Sequence, residues 1–551
     1  MNSEQKSTGV QTFFFNLVLT ALASVLFAAS FPNLLAGKGI AVLAFVAYVP
    51  VFVIIQRTSF AGSIFWGALY GYFAYTLFNY WLNVFHPMAG IITGLLFAIY
   101  MAALFPLMKF ARLCFPRRAY IAQWILWLAY EYLRTLGFLG YSYGVTGYSQ
   151  WNVLPLIQMA SLFGVWGVSA LVAFPSLWLA AALEGIEIKS GIKTCARAVK
   201  AFFLKDKIPP LVWAVLLCAA FVGGFISMKD YDSAPKARLA LIQHNSDPWR
   251  GGIAEYRRNY EVLRRLSDEA LAADPAPEMV VWPETAFVPR IYWHETYREA
   301  PASWALVKDL LQYLAEQEKP FVIGNDHAVK DPAKNPNHNE GYRIDYNAAL
   351  MYENGKNTQS YYKHHLVPFT EHFPYKKQFP RLHQMLVEAD THFWEKGTEA
   401  TVFSGPGFTF SSPICFEDTF GYLSRNFVRL GADLIINLSN DAWSASLPAQ
   451  NQHLAMSVFR AVENRRSVAR STSSGQTCAI DPSGRILGMA EPFTEAWINV
   501  DVPLVKGKSL YTRFGDFLGM AFVFMAFGLL IFGVIHNTIK KIKQGNRNEY
   551  P

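Results

Sequence analysis

Long apolar segments alternate with short polar ones over the first 230 residues, and one more apolar segment follows residue 516. An α-helix needs about 20 residues to cross the hydrocarbon core of a bilayer, with a lower limit of about 17. Most of these segments reach that length. The pattern predicts eight membrane spans, seven before a polar block and one after it, at residues 13–31, 40–55, 60–84, 88–108, 119–136, 156–183, 210–226 and 517–535.

The polar block between the last two spans alternates strand-like and helix-like patterns, which is typical of an α/β domain. Helices are predicted at 254–273, 303–317, 419–430 and 450–464. Strands are predicted at 238–243, 278–282, 320–324, 348–353, 359–363, 401–403, 409–410, 412–414, 433–438, 468–471, 477–480 and 485–490. Three parts follow: a transmembrane region at 1–229, an α/β domain at 230–510, and a last span with a basic tail at 511–551.

Composition supports a membrane protein, because 52% of the 551 residues are hydrophobic and only 16% are charged. The first span is 19 residues long, mostly apolar, and lacks a small-residue cleavage site, which favours an uncleaved anchor over a signal peptide.

The distribution of charge predicts the topology. Segments 1–11, 56–59, 109–118, 184–207 and 536–551 carry 16 basic and 5 acidic residues. Since basic loops stay in the cytoplasm, both termini are expected there and the polar block on the outer face. In a bacterium this means the inner membrane with a periplasmic α/β domain. The excess of basic residues behind the formal charge of +8 therefore lies in the cytoplasmic segments. The polar block has no basic surface for a phosphate backbone, so nucleic acid is excluded as a partner.

The five cysteines form no disulfide framework and show no metal-ligand spacing. Only Cys415 and Cys478 belong to the polar block. No metal or diffusible cofactor is expected.

Three residues at predicted strand ends match the needs of acyl transfer to a thiol. Glu284 supplies a carboxylate base, Lys363 a cation for a developing oxyanion, and Cys415 a nucleophile. Apolar neighbours are expected to favour the neutral form of Glu284, and the start of the following helix is expected to favour the thiolate of Cys415. Each residue also has an ordinary explanation: a loop glutamate, a solvated lysine and a buried structural cysteine.

The order and local sequences of these three residues resemble the nitrilase superfamily, whose members carry a Glu–Lys–Cys triad on a four-layer αββα sandwich. Further segments resemble the branch that is fused to membrane spans, the apolipoprotein N-acyltransferases. Those segments are 131–134, 243–249, 366–371, 415–417, 440–443 and 511–516. The chain departs from the family pattern at Thr370, Phe416 and Ser444, which puts the shape of the acyl pocket in doubt but leaves the triad intact.

The resemblance implies transfer of a fatty acyl chain from a phospholipid, phosphatidylethanolamine, through a Cys415 thioester to the α-amine of an S-diacylglyceryl cysteine in an apolipoprotein. It implies a monomer and ping-pong chemistry. Supporting residues are expected at Glu371, Glu417, Phe416 and Asn440. Substrate-binding residues are expected at Trp249, Arg134, Phe369 and Trp443.

Several alternatives stay open at this point. Arg134 either meets a lipid phosphate or forms a structural ion pair with Glu131, three residues away on one helix face. The aromatic residues between 366 and 394 either guide acyl chains or pack in a core. The whole chain is alternatively a membrane-tethered amidase for a small soluble substrate, or a non-enzymatic transporter or lipid sensor.

Overall fold

The computed structural model describes residues 3–85, 87–186, 191–331, 343–388 and 391–548. The chain divides into two compact units, one of Met1–Met228 with Asp516–Pro551 and the other of Lys229–Gly515.

The first unit is helical, and all eight predicted apolar segments contain helix. Its helices are α1 (Ser3–Ser30), α2 (Val49–Arg57), α3 (Phe60–Phe78), α4 (Leu82–Phe85), α5 (Ala89–Cys114), α6 (Ala119–Leu133), α7 (Leu154–Ile157), α8 (Ala160–Ala182), α9 (Ile192–Lys205), α10 (Ile208–Ser227) and, at the end of the chain, α18 (Phe517–Asn548).

Within the described residues, five helical segments are long and apolar enough to cross a membrane. They are Val10–Ser30, Ala89–Cys114, Ala160–Ala182, Ile208–Ser227 and Phe517–Ile539. The predicted second span consists of a 3₁₀ turn followed by the nine-residue α2, and the predicted fifth, α6, has only 15 residues. Length and composition therefore establish five candidate spans.

Glycines allow α3 and α5 to approach closely. A Cβ on Gly67 would lie 2.4 Å from the carbonyl oxygen of Met101, and one on Gly71 would lie 2.3 Å from that of Phe97. Small residues at such crossings let two backbones touch where the surrounding lipid offers no hydrophobic driving force.

The second unit holds two six-stranded mixed sheets. Their strands are β1 (Lys236–Gln243), β2 (Met279–Val281), β3 (Phe321–Lys330), β4 (Arg343–Glu353), β5 (Lys356–Tyr362), β6 (Phe403–Ser404), β7 (Thr409–Ser411), β8 (Leu434–Ser439), β9 (Ser467–Thr472), β10 (Cys478–Ile480), β11 (Ile486–Met489) and β12 (Ala496–Pro503). The first sheet has the order β12-β1-β2-β3-β4-β5 and the second β11-β10-β9-β8-β7-β6. In each sheet three adjacent strands run parallel to one another. They are β1, β2 and β3 in the first sheet, and β7, β8 and β9 in the second.

The helices of this unit are α11 (Ile253–Leu271), α12 (Ile291–Tyr297), α13 (Pro301–Ala315), α14 (Pro380–Glu388), α15 (Gly421–Leu430), α16 (Leu447–Asn464) and α17 (Leu510–Phe514). Of these, α11 and α13 pack on the outer face of the first sheet, and α16 packs on β9 of the second. Alternate residues of β2 point to opposite sides, as the pleat of a strand requires. Val281 packs between the sheets with Phe410 and Leu434, whereas Val280 packs beneath the helices with Leu263 and Leu310. The predicted α/β class is confirmed.

The prediction of a strand at 412–414 was wrong. Strand β7 ends at Ser411, and Ile414 makes only an isolated bridge with Leu438. Pro413 has no N–H to donate to a ladder, and the N–H of Ile414 is bonded to the Glu417 carboxylate instead.

Strand β12 was missed from the sequence. It pairs antiparallel with β1 over eight residues, from Lys236 opposite Pro503 to Gln243 opposite Ala496. Helices α9, α12 and α14 were missed as well.

Candidate active site

The three triad candidates lie just beyond strand ends in the α/β unit. Glu284 follows β2, Lys363 directly follows β5, and Cys415 follows β7. Strand β5 runs in the same direction as β2, because two antiparallel pairings separate it from β3. Carboxyl ends of strands that share a direction meet at one edge of a sheet, which is where α/β folds place their ligands.

Lys363 bridges two carboxylates. Its Nζ lies 3.3 Å from Oε1 of Glu284 and 2.8 Å from Oε1 of Glu371, and its side chain is fully buried. Burial alone would lower the pKa of Lys363, but the charges of Glu284, Glu371 and Cys415 together raise that pKa well above its ordinary value. The lysine is therefore a fixed cation within the site.

Glu284 is held by three donors. Besides Lys363, the amide Nδ2 of Asn347 donates to Oε1 at 2.8 Å and the backbone N–H of Asn440 donates to Oε2 at 2.9 Å. Asn347 lies on β4, and its carbonyl oxygen also accepts from the N–H of Lys363 at 2.9 Å. One asparagine thus orients both the base and the cation, and sequence reasoning missed it.

Cys415 begins a 3₁₀ turn, Cys415–Thr419, with a left-handed φ of +50°. A non-glycine residue in this region is strained, and such strain concentrates at functional sites. Nδ2 of Asn437 donates to the Cys415 carbonyl oxygen at 3.4 Å and to that of Pro413 at 3.1 Å. The cysteine keeps a partly exposed surface.

The expectation that a helix start favours the thiolate of Cys415 fails on electrostatic grounds. Desolvation raises the pKa of this thiol well above its ordinary value, the nearby Glu284 raises it further, and the opposing effect of Lys363 is smaller. The thiol of Cys415 is therefore neutral at rest, and as a nucleophile it would have to lose its proton on attack.

Glu417 fastens the nucleophile turn to the segment that carries the lysine. Its Oε1 accepts from the backbone N–H of His364 at 2.7 Å and of His365 at 2.9 Å, and Oε2 accepts from that of Ile414 at 2.8 Å. The hydroxyl of Tyr361 bonds both oxygens. Burial raises the pKa of Glu417 to about 7, against the opposing effect of these donors.

The other predicted supporting residues make different kinds of contact near the site. Glu371 bonds Lys363 through Oε1 and the N–H of Val367 through Oε2. Asn440 contributes its backbone, whereas its Oδ1 accepts from Ala442 within its own turn. The half-buried ring of Phe416 packs edge-on against Phe420 at 5.0 Å.

The predicted substrate-binding residues are more scattered. Phe369 stacks near Phe373 with ring centroids 5.7 Å apart, in the segment that carries Glu371. Trp443 lies in the turn after Asn440 and is half-buried. Trp249 is 62% exposed on the loop after β1, and the described triad contacts do not include it.

Arg134 belongs to the other unit, where its side chain is buried. Its NH1 donates to the carbonyl oxygens of Tyr141 and Tyr143, both at 2.9 Å. The guanidinium lies over the rings of Tyr75 and Phe97, at 5.6 and 5.4 Å. Glu131 is buried as well, and its Oε1 accepts from the N–H of Thr146 at 3.0 Å.

This arrangement has the parts of a thiol acyl-transfer site. A buried carboxylate and a buried ammonium touch each other, and their charges act on a neutral, partly exposed thiol on a strained turn. The carboxylate can accept the thiol proton, and the ammonium can hold negative charge on a carbonyl oxygen.

Two family profiles match the chain. The profile of the carbon-nitrogen hydrolases covers residues 238–511, and that of the apolipoprotein N-acyltransferase N-terminal domain covers residues 23–178. Among solved structures, Nit3 of Saccharomyces cerevisiae, a member of branch 10 of the nitrilase superfamily, matches with a TM-score of 0.35 and 19% identity. That match covers 49% of this chain and 90% of Nit3.

Relatives match along nearly the whole length. Apolipoprotein N-acyltransferase 1 of Treponema denticola is 45% identical over 541 residues, which covers 96% of this chain and 98% of the relative. Apolipoprotein N-acyltransferase 1 of Treponema pallidum is 46% identical and covers 96% and 97%. Apolipoprotein N-acyltransferase of Geobacter metallireducens is 31% identical and covers 92% and 93%. The chain therefore belongs to the apolipoprotein N-acyltransferase family.

Proposed function

We propose that this enzyme moves a fatty acyl chain from a membrane phospholipid, phosphatidylethanolamine, to the α-amine of the S-diacylglyceryl cysteine at the N-terminus of an apolipoprotein. The observation that carries the chemistry is the buried contact of Lys363 with Glu284 and Glu371, whose charges bear on the thiol of Cys415.

In the first half-reaction, Glu284 takes the proton of the Cys415 thiol as the sulfur attacks the ester carbonyl of the phospholipid. Lys363, with a backbone N–H at Cys415 or Phe416, holds the negative charge on the tetrahedral oxygen. The carbon–oxygen bond then breaks, Glu284 returns the proton to the leaving alkoxide, and lysophospholipid departs. An acyl thioester remains on Cys415.

In the second half-reaction, the α-amine of the acceptor attacks the thioester. Glu284 takes a proton from the nitrogen, the carbon–sulfur bond breaks, and the thiol of Cys415 regains a proton. The N-acylated lipoprotein leaves, and the cycle is ping-pong with one covalent intermediate. A thiol that is neutral at rest suits this cycle, because Glu284 removes its proton in the first half-reaction and a proton returns to it in the second.

Both substrates carry long acyl chains, and each methylene buried in a bilayer is worth about 0.8 kcal/mol. An enzyme fused to membrane helices avoids drawing those chains into water. We propose eight spans, an inner-membrane location, cytoplasmic termini, a periplasmic α/β domain and a monomeric enzyme.

The remaining predicted residues have proposed roles in binding. Phe369 and Trp443 contact the acyl chain, Trp249 contacts the donor or acceptor, and Arg134 serves the lipid headgroup. The NH1 of Arg134 is bound to two carbonyl oxygens, whereas its Nε and NH2 are buried with no hydrogen-bond partner among the described residues, so those two atoms are the ones left to bind a phosphate.

The test is incubation of the purified full-length protein with phosphatidylethanolamine labelled in its acyl chains. Acyl label on the wild type that is absent from Cys415→Ala supports the transferase. Cys195→Ala, which changes a partly exposed cysteine on α9, is the matched control and should label normally. An active protein that hydrolyses small amides and never takes acyl label would point to the amidase alternative.

A further inference from the structure

A second group of charged residues lies buried directly behind the nucleophile turn. Asp418, Asp441, His453 and Arg470 are all at most 5% exposed in their side chains. They come from four elements: the 3₁₀ turn that begins at Cys415, the turn after β8, helix α16 and strand β9. We call these four residues the buried quartet.

His453 stands between the two carboxylates. Its Nε2 lies 2.6 Å from Oδ1 of Asp418, and its Nδ1 lies 2.9 Å from Oδ1 of Asp441. A neutral imidazole has one N–H, and a carboxylate can only accept. Burial would raise the pKa of Asp418 and of Asp441, but the charges of His453 and Arg470 hold both below their ordinary value, so both are carboxylates. The NH2 of Arg470 also lies 3.4 Å from Nδ1, but Asp441 is the nearer partner of that nitrogen. With two carboxylates as partners, both contacts are hydrogen bonds if both ring nitrogens carry protons, and the geometry therefore favours an imidazolium.

Arg470 completes the quartet from the opposite side. Its NH1 donates to Oδ2 of Asp418, and its NH2 lies 3.3 Å from Oδ2 of Asp441. The hydroxyl of Ser457, one turn after His453 on α16, donates to Asp418 as well. Two cations thus face two anions, and the buried charges balance.

The quartet joins the two turns that hold the nucleophile and the base. Asp418 is in the same 3₁₀ turn as Cys415. Asp441 directly follows Asn440, whose backbone N–H binds Oε2 of Glu284 at 2.9 Å. The hydrogen bonds of His453 and the peptide link between Asp441 and Asn440 therefore connect the nucleophile turn to the base.

We propose that His453, as a cation bridging Asp418 and Asp441, is a positioning residue that sets the placement of Cys415 relative to Glu284. This inference rests on the proposed function for the chemistry it serves. His453 touches neither reacting group, and it acts through the two turns that carry them.

Protonation of His453 follows from its neighbours. Burial alone would lower the pKa of His453, but Asp418 and Asp441 together raise it to about 9, against an opposing effect of Arg470. The thiol of Cys478 on β10 also faces this charge cluster, and burial raises its pKa to about 12, so it stays neutral. Among these groups, His453 is the one that titrates between neutral pH and pH 10, and its loss of a proton breaks one of the two bridging bonds.

The experiment measures two rates on the full-length protein from pH 6 to pH 10. One is acylation of Cys415 by acyl-labelled phosphatidylethanolamine, and the other is alkylation of Cys415 by iodoacetamide, which needs no lipid. The variants are His453→Gln, which removes the cation, and Asp441→Asn, which keeps the shape of the turn but removes one of the two carboxylates. His327→Gln is the control, since it removes a buried histidine whose pKa burial lowers and which carries no charge near neutral pH.

The wild-type acylation rate should fall at high pH with a midpoint near 9. His453→Gln should lose this fall and react on the order of 10²-fold more slowly at pH 7, the cost of a misplacement of about 1 Å. In Asp441→Asn the fall should move to lower pH, which a merely structural role of the carboxylate would not produce.

The outcomes separate the two proposals. Wild-type acylation together with unchanged rates and pH profiles in both quartet variants would overturn the positioning role while the transferase stands. Absence of acylation in the wild type would overturn the transferase, and the alkylation profiles would still test the quartet. If a variant unfolds, the shift of the pH profile in the other variant decides.

Discussion

The backbone N–H of Asn440 donates to Oε2 of Glu284 at 2.9 Å, although 156 residues separate the two in sequence. The bond places the base from a turn of the second sheet, whereas the base itself follows a strand of the first. Both sheets therefore contribute to the position of one carboxylate, and substitutions in either sheet should change the rate at which the Cys415 thiol is acylated.

Loss of the base is the simplest prediction. Glu284→Gln keeps the size of the side chain but cannot accept the thiol proton, and general-base catalysis contributes about 10²–10⁴-fold. The acylation rate of Cys415 should fall by that factor. The control is Glu353→Gln at the exposed end of β4, which should acylate as the wild type does. A Glu284→Gln protein with full activity would remove Glu284 from the mechanism.

Substitution of Asn347 should lower kcat/KM nearly as much as substitution of Glu284 or Lys363. Asn347→Ala removes a donor to the buried carboxylate of Glu284, and a hydrogen bond to a charged group is worth about 1.5–3 kcal/mol. The expected loss in kcat/KM is about tenfold to a hundredfold. Steady-state kinetics with labelled phospholipid provide the measurement, and Asn347→Asp should be worse, because it would place a second carboxylate against the first.

Gly324 is needed where β3 passes the base. A Cβ there would lie 2.3 Å from the carbonyl oxygen of Pro283 and 2.6 Å from Cα of Glu284, so Gly324→Ala has to displace the backbone of the base. Acylation should slow on the order of 10²-fold. Gly488→Ala on β11, whose Cβ would meet nothing nearer than 4.0 Å, should be neutral in the same assay. Equal activity in the two variants would contradict the close packing at Glu284.

Glu417→Gln should loosen the nucleophile turn. The carboxylate accepts three backbone N–H groups and the Tyr361 hydroxyl, and an amide turns one accepting oxygen into a donor. Each buried donor left unpaired costs about 1–3 kcal/mol. We expect slower alkylation of Cys415 and a lower melting temperature together, and normal values of both would show that these bonds are dispensable.

Stability should depend on pH through His453. Its pKa is raised to about 9 in the folded protein, against about 6.5 for an ordinary histidine. The folded chain therefore binds a proton between these values that the unfolded chain has released, and the free energy of unfolding falls as pH rises through that window. This contribution is fully present below pH 6.5 and is lost above 9. Melting curves of the wild type and His453→Gln from pH 6 to 10 should converge at high pH.

The sequence singled out Glu284, Lys363 and Cys415 as candidates because each follows a strand within a distinctive local motif. The α/β class followed from the alternation of strand and helix patterns. The span count was less secure: α2 and α6 are apolar, yet their nine and 15 residues fall short of the length that a lone span needs. A long apolar helix can be recognised as a span from its length alone. A short helix can be placed in a bundle only from its contacts with neighbouring helices, which a sequence pattern does not show.

What the sequence did not reveal was the polar framework behind the triad. Asn347 lies one residue before the strand predicted at 348–353, and a strand pattern does not show which face a distant carboxylate will approach. His453 lies on α16 among buried residues and resembles an ordinary core histidine. Its charged state depends on Asp418 and Asp441, which are 35 and 12 residues away along the chain. Only the assembled fold brings such groups together.

The most direct test of the central claim is a two-step transfer experiment on a single preparation. The enzyme is first loaded with acyl-labelled phosphatidylethanolamine, freed of lipid, and examined by mass spectrometry, and then mixed with a peptide that begins with S-diacylglyceryl cysteine. We predict one acyl group in a thioester on Cys415 that passes to the α-amine of the peptide and stays on the enzyme when that amine is blocked. An active enzyme whose Cys415 never carries the label, or whose label passes to water regardless of the amine, would contradict the account.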